Sequence, residues 1–345
     1  MMTDILLTAV IPLLLIVIAK CGSKESPDNQ FFMTKDYGVL MKGLCAVIVV
    51  LFHFPNGYQN PLQHFIGGFA FVAVTLFFLF SSYGMQFNVE RNPSYLDLFW
   101  KKRLLSLLVP VFLINALFFL SQLLIKNNLD VKILFHVDEY VVVLLQYCFL
   151  FYIVNYLYKK SVLQNKKHVD ALLISGVIIS SLIVLFSLPS NAPSGENNWY
   201  VERYGLIWGL LVYRYFFNII QWLNNKRGEK IIMSIVFSVL VLVAFHALKY
   251  NGIGYRFILE IFAALLLVVL LFLLTQQRIY GNRMTLMLGG ISYEIYLSHR
   301  YVMELLLVLC PSISSGFYII LVFVVTIFVS FFIHSFCVRL LRRII

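Results

Sequence analysis

Charge is scarce in this sequence. Asp, Glu, Lys and Arg make up only 12% of its 345 residues, against 61% hydrophobic ones. With a mean hydropathy of +0.87, the chain has too little polar surface to clothe a water-soluble fold, so lipid must solvate it. Alternating polarity over segments of about ten residues, the mark of a membrane β-barrel, is also missing. Gly38 to Phe54 and Ile258 to Thr275 are apolar on every face, which leaves transmembrane helices, whose backbone groups satisfy one another internally. Cys21, Cys45, Cys148, Cys310 and Cys337 include no pair at metal-ligand or redox spacing, so we expect no disulfide framework and no metal site. No internal repeat, low-complexity tract or connection long enough for a soluble domain occurs. Function is therefore expected inside the bundle and its short loops. A basic n-region is lacking before the apolar stretch Ile5 to Ala19, and Lys20 stands where signal-peptide cleavage wants a small residue. An uncleaved first helix is the expectation.

What is present is a series of apolar runs, at about 5–20, 37–54, 66–87, 104–125, 140–158, 169–188, 201–222, 231–248, 257–275, 288–309 and 317–338. Each has roughly the length a bilayer needs. The fold class is thus all-α, a polytopic membrane bundle of about eleven transmembrane helices. The net charge of +11 is spread in short clusters between the runs, which reads as a topology signal and not as a nucleic-acid surface. The basic connections carry Lys20, Lys24 and Lys35, then Arg91 with Lys101 to Arg103, Lys159–Lys160 with Lys166–Lys167, Lys226–Arg227, Arg278 with Arg283, and Arg339 with Arg342–Arg343. The alternate connections, Pro55 to Phe65, Lys126 to Glu139, Pro189 to Tyr200, Lys249 to Arg256 and Pro311 to Ser315, hold Asp130, Asp138, Glu139 and Glu196. The positive-inside rule places the N-terminus outside and the C-terminus cytoplasmic, in the plasma or inner membrane. An odd number of spans agrees with that.

Ionisable groups within membrane helices are costly and are candidate sites. On the second run, Lys42 and His53 are eleven residues apart, almost three turns, so they share one face about 16 Å apart along the axis. A cation that holds phosphate and an imidazole that takes a proton suit a long donor such as an acyl-coenzyme A threaded through the bundle. The bland alternative is a snorkelling lysine and a histidine meeting headgroups.

Three further segments follow in order: Phe77 to Gly84, Phe99 to Pro110, and Leu288 to His299. With Lys42 and His53, they resemble the membrane-bound acyltransferase family 3, the bacterial integral-membrane O-acyltransferases. The family's basic residue, ten others and a histidine match Lys42 and His53, with lysine in place of the commoner arginine. Its phenylalanine-rich segment ending in Ser-Gly matches Phe77 to Ser82, with Ser82 where the glycine stands. Its basic stretch leading to Leu-x-x-Pro matches Lys101 to Pro110, with Ser106 where a second arginine stands. The late Ile-Ser-Tyr-x-x-Tyr-Leu-x-His signature matches Ile291 to His299.

The resemblance spans about residues 35–310 and implies a ten-helix core. Residues 1–36 would then be an added N-terminal helix and linker, and 37–345 the acyltransferase-like domain. It further implies acyl-CoA, as acetyl-CoA or another short-chain donor, entering from the cytoplasm. The implied acceptor is a sugar hydroxyl of a cell-surface polysaccharide or its lipid-linked precursor. His53 would be the general base, with Lys42 in the catalytic site. Lys42, Lys101, Lys102 and Arg103 would meet the donor's phosphates, with Ser81 and Tyr83 as further donor-binding candidates.

Other candidates are weaker. Glu294 and His299 lie about 500° apart around their helix and diverge, and His299 suits packing through a hydrogen bond to a neighbouring helix. Arg300 and Glu304 are spaced to pair with each other, and Glu304 is a possible orienting partner for His53. Trp199 and Arg203, with Tyr200, suit an outer anchor in the aromatic belt or, for Trp199, stacking on carbohydrate. Arg256 and Glu260 are spaced as a structural pair. A transporter or flippase for a lipid-linked glycan is the competing function. Its usual paired repeats and broken helices are not evident in this sequence. A glycan polymerase is a third possibility, with short outer loops against it.

Overall fold

The computed structural model describes residues 2–344 except 22, 27, 56–57, 59, 64–68, 127–129, 188–198 and 249–252. Glu196, most of the Pro189 to Tyr200 connection, and parts of the Pro55 to Phe65, Lys126 to Glu139 and Lys249 to Arg256 connections lie outside the described residues. All eleven apolar runs are largely helical where described, with breaks at Tyr215 in the run 201–222 and at Ile291 in the run 288–309. In chain order the helices are α1 (Met2–Lys20), α2 (Lys35–Phe52), α3 (Ala70–Arg91), α4 (Phe99–Lys126), α5 (Glu139–Lys159) and α6 (Lys166–Ser187). They continue with α7 (Tyr204–Arg214), α8 (Phe216–Asn224), α9 (Arg227–Leu248), α10 (Ile253–Thr275), α11 (Arg283–Gly290), α12 (Ser292–Leu309) and α13 (Ser315–Ile344). A 3-10 turn, Val131–Phe135, precedes α5. The fold is an all-α polytopic bundle. Among the described residues seven helices are long and apolar enough to cross a membrane unaided. The helices α2 and α12 carry the charges that keep them off that count: Lys35, Asp36 and Lys42 on one, Glu294, Arg300 and Glu304 on the other.

One span departs from expectation. The run 201–222 was expected as a continuous helix, but it bends by 88° between α7 and α8. Arg214 explains the break: its guanidinium pairs with Glu90 on α3 and with Asp170 on α6, the latter at 2.9 Å. A charge held there fixes the level at which the helix leaves the apolar layer. Beyond it α8 buries Leu223 while Phe217 and Trp222 are exposed, as an interfacial helix does.

Two glycine contacts set how closely the helices approach. Gly205 and Gly209 on α7 lie against the backbone of Thr75 and Leu79 on α3, where a Cβ would have no room. The four-residue spacing of these small residues is the usual device for close packing in lipid. On the other side of the core, a Cβ on Gly43 of α2 would stand 2.9 Å from the Gly289 nitrogen, and one on Gly289 would collide with the Val39 carbonyl. This second contact seats α11 on α2 and directs the chain into α12, which also packs on α2.

The basic connections gather at one end. Strands β1 (Lys24–Glu25) and β2 (Arg278–Ile279) pair antiparallel there. Nearby, Lys159 meets Asp97 at 2.9 Å and Lys166 meets Glu90 at 2.6 Å. The opposite end holds the 3-10 turn and the start of α5. Helix α1 is tied to this frame by Asn282 Nδ2, which donates to the Ile18 carbonyl at 2.8 Å. Near the other end of α1, Asn60 Nδ2 donates to Thr8 Oγ1 at 2.9 Å.

Candidate active site

His53 ends α2, where it is the C-cap residue, and a second histidine stands against it. His299 Nε2 lies 2.9 Å from His53 Nδ1, with the ring centroids 4.8 Å apart. The remaining partners fix the protons. His299 Nδ1 is 3.1 Å from the Ile295 carbonyl, which can only accept, so in the neutral ring that nitrogen carries the hydrogen and Nε2 is an acceptor. His53 Nδ1 faces this acceptor and also the Val49 carbonyl at 2.9 Å, so Nδ1 must be the donor. Nε2 of His53 is then left with its lone pair, and it has no hydrogen-bond partner among the described residues. Such an imidazole is oriented to accept a proton. Its position on the helix leads to the expectation that His299 packs against a neighbouring helix. Its neighbour is α2, and the group it meets is His53.

His53 and His299 line a cavity of about 430 Å³ towards the end opposite the basic connections, a size typical of small-ligand pockets. Three elements build its wall, and each is locked by polar contacts that the sequence reading did not single out. Asn115, buried on α4, donates to the His136 carbonyl at 2.7 Å and accepts from Tyr301 Oη at 3.2 Å. It therefore joins α4, the 3-10 segment and α12. Asp138 caps α5 by accepting from the Tyr140 nitrogen at 2.9 Å, and it also accepts from Tyr296 Oη at 2.7 Å. Tyr296 precedes His299 by one turn on α12, so the cap of one helix steadies the helix that carries the second histidine. Phe118 and Tyr301 stack at 4.2 Å and form part of the lining. A polar residue in an apolar run, such as Asn115, was the available sequence signal.

Arg300 and Glu304 both line this cavity, but the expected pair between them does not form. Among the described residues Arg300 makes no ion pair. Glu304 shares the cavity with His53 but does not contact it, and the place expected of an orienting carboxylate is taken by His299. Glu294 is buried and accepts from His334 Nδ1 on α13 at 2.9 Å, so it diverges from His299 as its spacing required.

At the basic end Lys42 is half-buried on α2 with no carboxylate partner among the described residues. Of the basic triplet on α4, Lys101 and Lys102 are exposed, whereas Arg103 is half-buried and close enough to Lys42 for their like charges to repel. Two neighbouring cations with no carboxylate partner among the described residues make a site that a phosphate group would complete. Ser106 is exposed and donates to the Arg103 carbonyl at 3.1 Å, so it adds nothing to that cluster. Ser81 donates to the Phe77 carbonyl at 2.8 Å on the α3 face near Tyr140. Ser82 is buried, and its hydroxyl is 2.8 Å from that of Tyr147, which accounts for a serine being tolerated there. Tyr83 points elsewhere: it meets Tyr213 edge-on at 5.7 Å, about 200° around the helix from Ser81.

Trp199 and Arg203 are not brought to this site. Trp199 is only 9% exposed, so its ring is neither a surface anchor nor open to carbohydrate. Its carbonyl accepts from Arg203 Nε at 2.8 Å, and Arg203 also donates to Ser180 on α6 at 3.1 Å. The turn is sunk into the bundle beside α6, with the Arg256–Glu260 pair at 3.1 Å on α10. Among the described residues no group of three or more His, Cys, Asp or Glu could hold a metal ion.

A lipid-embedded helix bundle with an oriented imidazole on a small-molecule cavity, and unpaired cations towards its other end, has the parts of a membrane-bound group-transfer enzyme. Comparison with known families makes the class definite. The acyltransferase domain of acyltransferase family 3 matches residues 39–335. The chain belongs to that family and is a multi-pass membrane acyltransferase. No curated protein and no solved structure matches it.

Proposed function

We propose that this protein is an O-acyltransferase that moves an acetyl or other short acyl group from acyl-CoA to a hydroxyl of a cell-surface polysaccharide or its lipid-linked precursor. The observation that carries the reading is the buried Nε2 of His53, which has no hydrogen-bond partner among the described residues, on a ring that helps line the cavity; Lys42, with no carboxylate partner among them, stands about three turns away on the same helix. Lys42 and Arg103 hold the donor's phosphates at the basic end, with Lys101 and Lys102 at its rim and Ser81 deeper on the donor's path. We leave Tyr83, Trp199 and Arg203 out of the site. The acceptor enters the opposite cavity. His53 Nε2 takes the hydroxyl proton as the oxygen attacks the thioester carbonyl; the carbon–sulfur bond then breaks, and the proton passes to the departing thiolate. His299 is a positioning residue that holds His53 in the required tautomer.

The positive-inside rule favours a cytoplasmic basic end in the plasma or inner membrane, with the N-terminus outside. Residues 1–36 form an addition that precedes the matched region.

The test is the acyl content of the cell-surface glycan, measured by mass spectrometry in cells with the gene deleted, restored, or restored as His53→Ala. Loss on deletion, rescue by the wild type and no rescue by a normally inserted variant are expected. Full acylation with His53→Ala would sink the general-base role. Unchanged acylation with shortened or unexported glycan would point to polymerisation or transport instead.

A further inference from the structure

The acceptor-side cavity carries two cations that the transfer chemistry does not use. Arg300 and Lys132 both line it, and neither pairs with a carboxylate among the described residues. Carboxylates are within reach of the same space. Asp130 accepts from the Lys132 backbone nitrogen at 3.1 Å and so caps the 3-10 turn, and Asp138 is occupied by Tyr140 and Tyr296. Glu304 lies one turn beyond Arg300, the separation at which such pairs ordinarily form on a helix, yet the guanidinium does not take it. Arg300 follows His299 in the chain and lines the same cavity as His53, near enough for its charge to act on both imidazoles. A positive charge left open there opposes the positive charge that His53 acquires when it accepts a proton. An anion seated on Arg300 removes that opposition at the moment the acceptor is bound.

We infer that the cavity takes an acceptor bearing an anionic group, a carboxylate or a phosphate, which Arg300 and Lys132 hold while the acceptor's hydroxyl faces His53. The inference rests on the acyl-transfer reading for its function, but not for its binding. Guanidinium groups suit planar, bidentate recognition of such anions, and Lys132 adds a point charge at the mouth.

The experiment uses the full-length protein, as wild type, Arg300→Gln and Arg300→Lys. Methyl glucuronide and glucose 1-phosphate are compared with methyl glucoside, both as acceptors from acetyl-CoA and as ligands by thermal shift without donor. At least one anionic probe should be preferred by the wild type by about tenfold, the worth of one charge-assisted hydrogen-bonded contact. Arg300→Gln should bring anionic and neutral probes to near parity by losing on the anionic side alone, and Arg300→Lys should keep part of the preference. Equal use of all three probes by the wild type, or an equal loss on all three in Arg300→Gln, overturns the inference and leaves the acyl-transfer reading standing. Arg300-dependent binding of an anionic probe without any transfer from acetyl-CoA does the reverse.

Discussion

At the scale of single residues, the proposed chemistry divides between two histidines. His53 offers the lone pair and His299 holds the ring that carries it. His53→Ala should therefore cost about 10²–10⁴-fold in transfer rate, the usual worth of a general base. His299→Gln should cost less, about tenfold, because one hydrogen bond to the ring is lost while the bond to Val49 remains. The two variants separate in their pH profiles. In the wild type the rate should fall as pH is lowered, because a protonated His53 cannot accept a further proton; His299→Gln should displace that acid limb, which a merely structural role would not do. At the other end, Lys42→Met should raise the KM for acyl-CoA by about tenfold through loss of a charge-assisted contact, with a smaller effect on kcat. Lys42→Arg should retain most of the affinity. An unchanged KM in Lys42→Met would remove Lys42 from the donor site.

Among the helices, two contacts bring α2 and α12 together. Gly43 and Gly289 allow α11 to lie on α2, and the Asp138–Tyr296 hydrogen bond steadies α12 one turn before His299. Gly289→Ala forces a methyl group into the Val39 backbone, so it should destabilise the protein by about 1–3 kcal/mol. In detergent this would be read as a lowered melting temperature, with transfer activity lost in parallel. Asp138→Ala removes a helix cap and a half-buried acceptor together, at a cost of about 1–2 kcal/mol. Unaltered melting in both variants would mean that these contacts are not what seats α12. The break between α7 and α8 follows the same logic on the far side of the bundle, where Arg214 is held by Glu90 and Asp170.

The whole molecule is polarised. Basic connections, the short β1–β2 pair and the Lys42–Arg103 cluster occupy one end; the cavity with its carboxylates and the 3-10 turn occupies the other. This separation suits a donor and an acceptor that approach from opposite sides of a membrane. Single cysteines introduced at Lys102 and Asp130 in a background lacking the native ones should react differently with an impermeant thiol reagent on intact cells. Asp130→Cys should be labelled from outside, and Lys102→Cys only after the cells are opened. Reversed labelling would invert the orientation proposed from the charge distribution.

Composition and charge spacing by themselves determined that the chain is an all-α membrane bundle, because apolar runs of bilayer length leave the backbone no other way to satisfy its hydrogen bonds in lipid. The spacing of Lys42 and His53 along one face was legible for the same reason: both residues lie on a single helix, whose geometry is local. The partner of His53 was not legible. His299 is 246 positions away, and its direction depends on how closely α11 can settle on α2, which two glycines decide through contact and not through any periodic pattern. The charges left unpaired were hidden as well. Arg300 and Glu304 have the spacing of a pair, and only the tertiary structure shows the arginine free to face a cavity; Trp199 and Arg203 look like surface residues in sequence and are buried. Local periodicity reports which side of a helix is polar, whereas the neighbours that a polar group finds there are fixed by packing between distant segments.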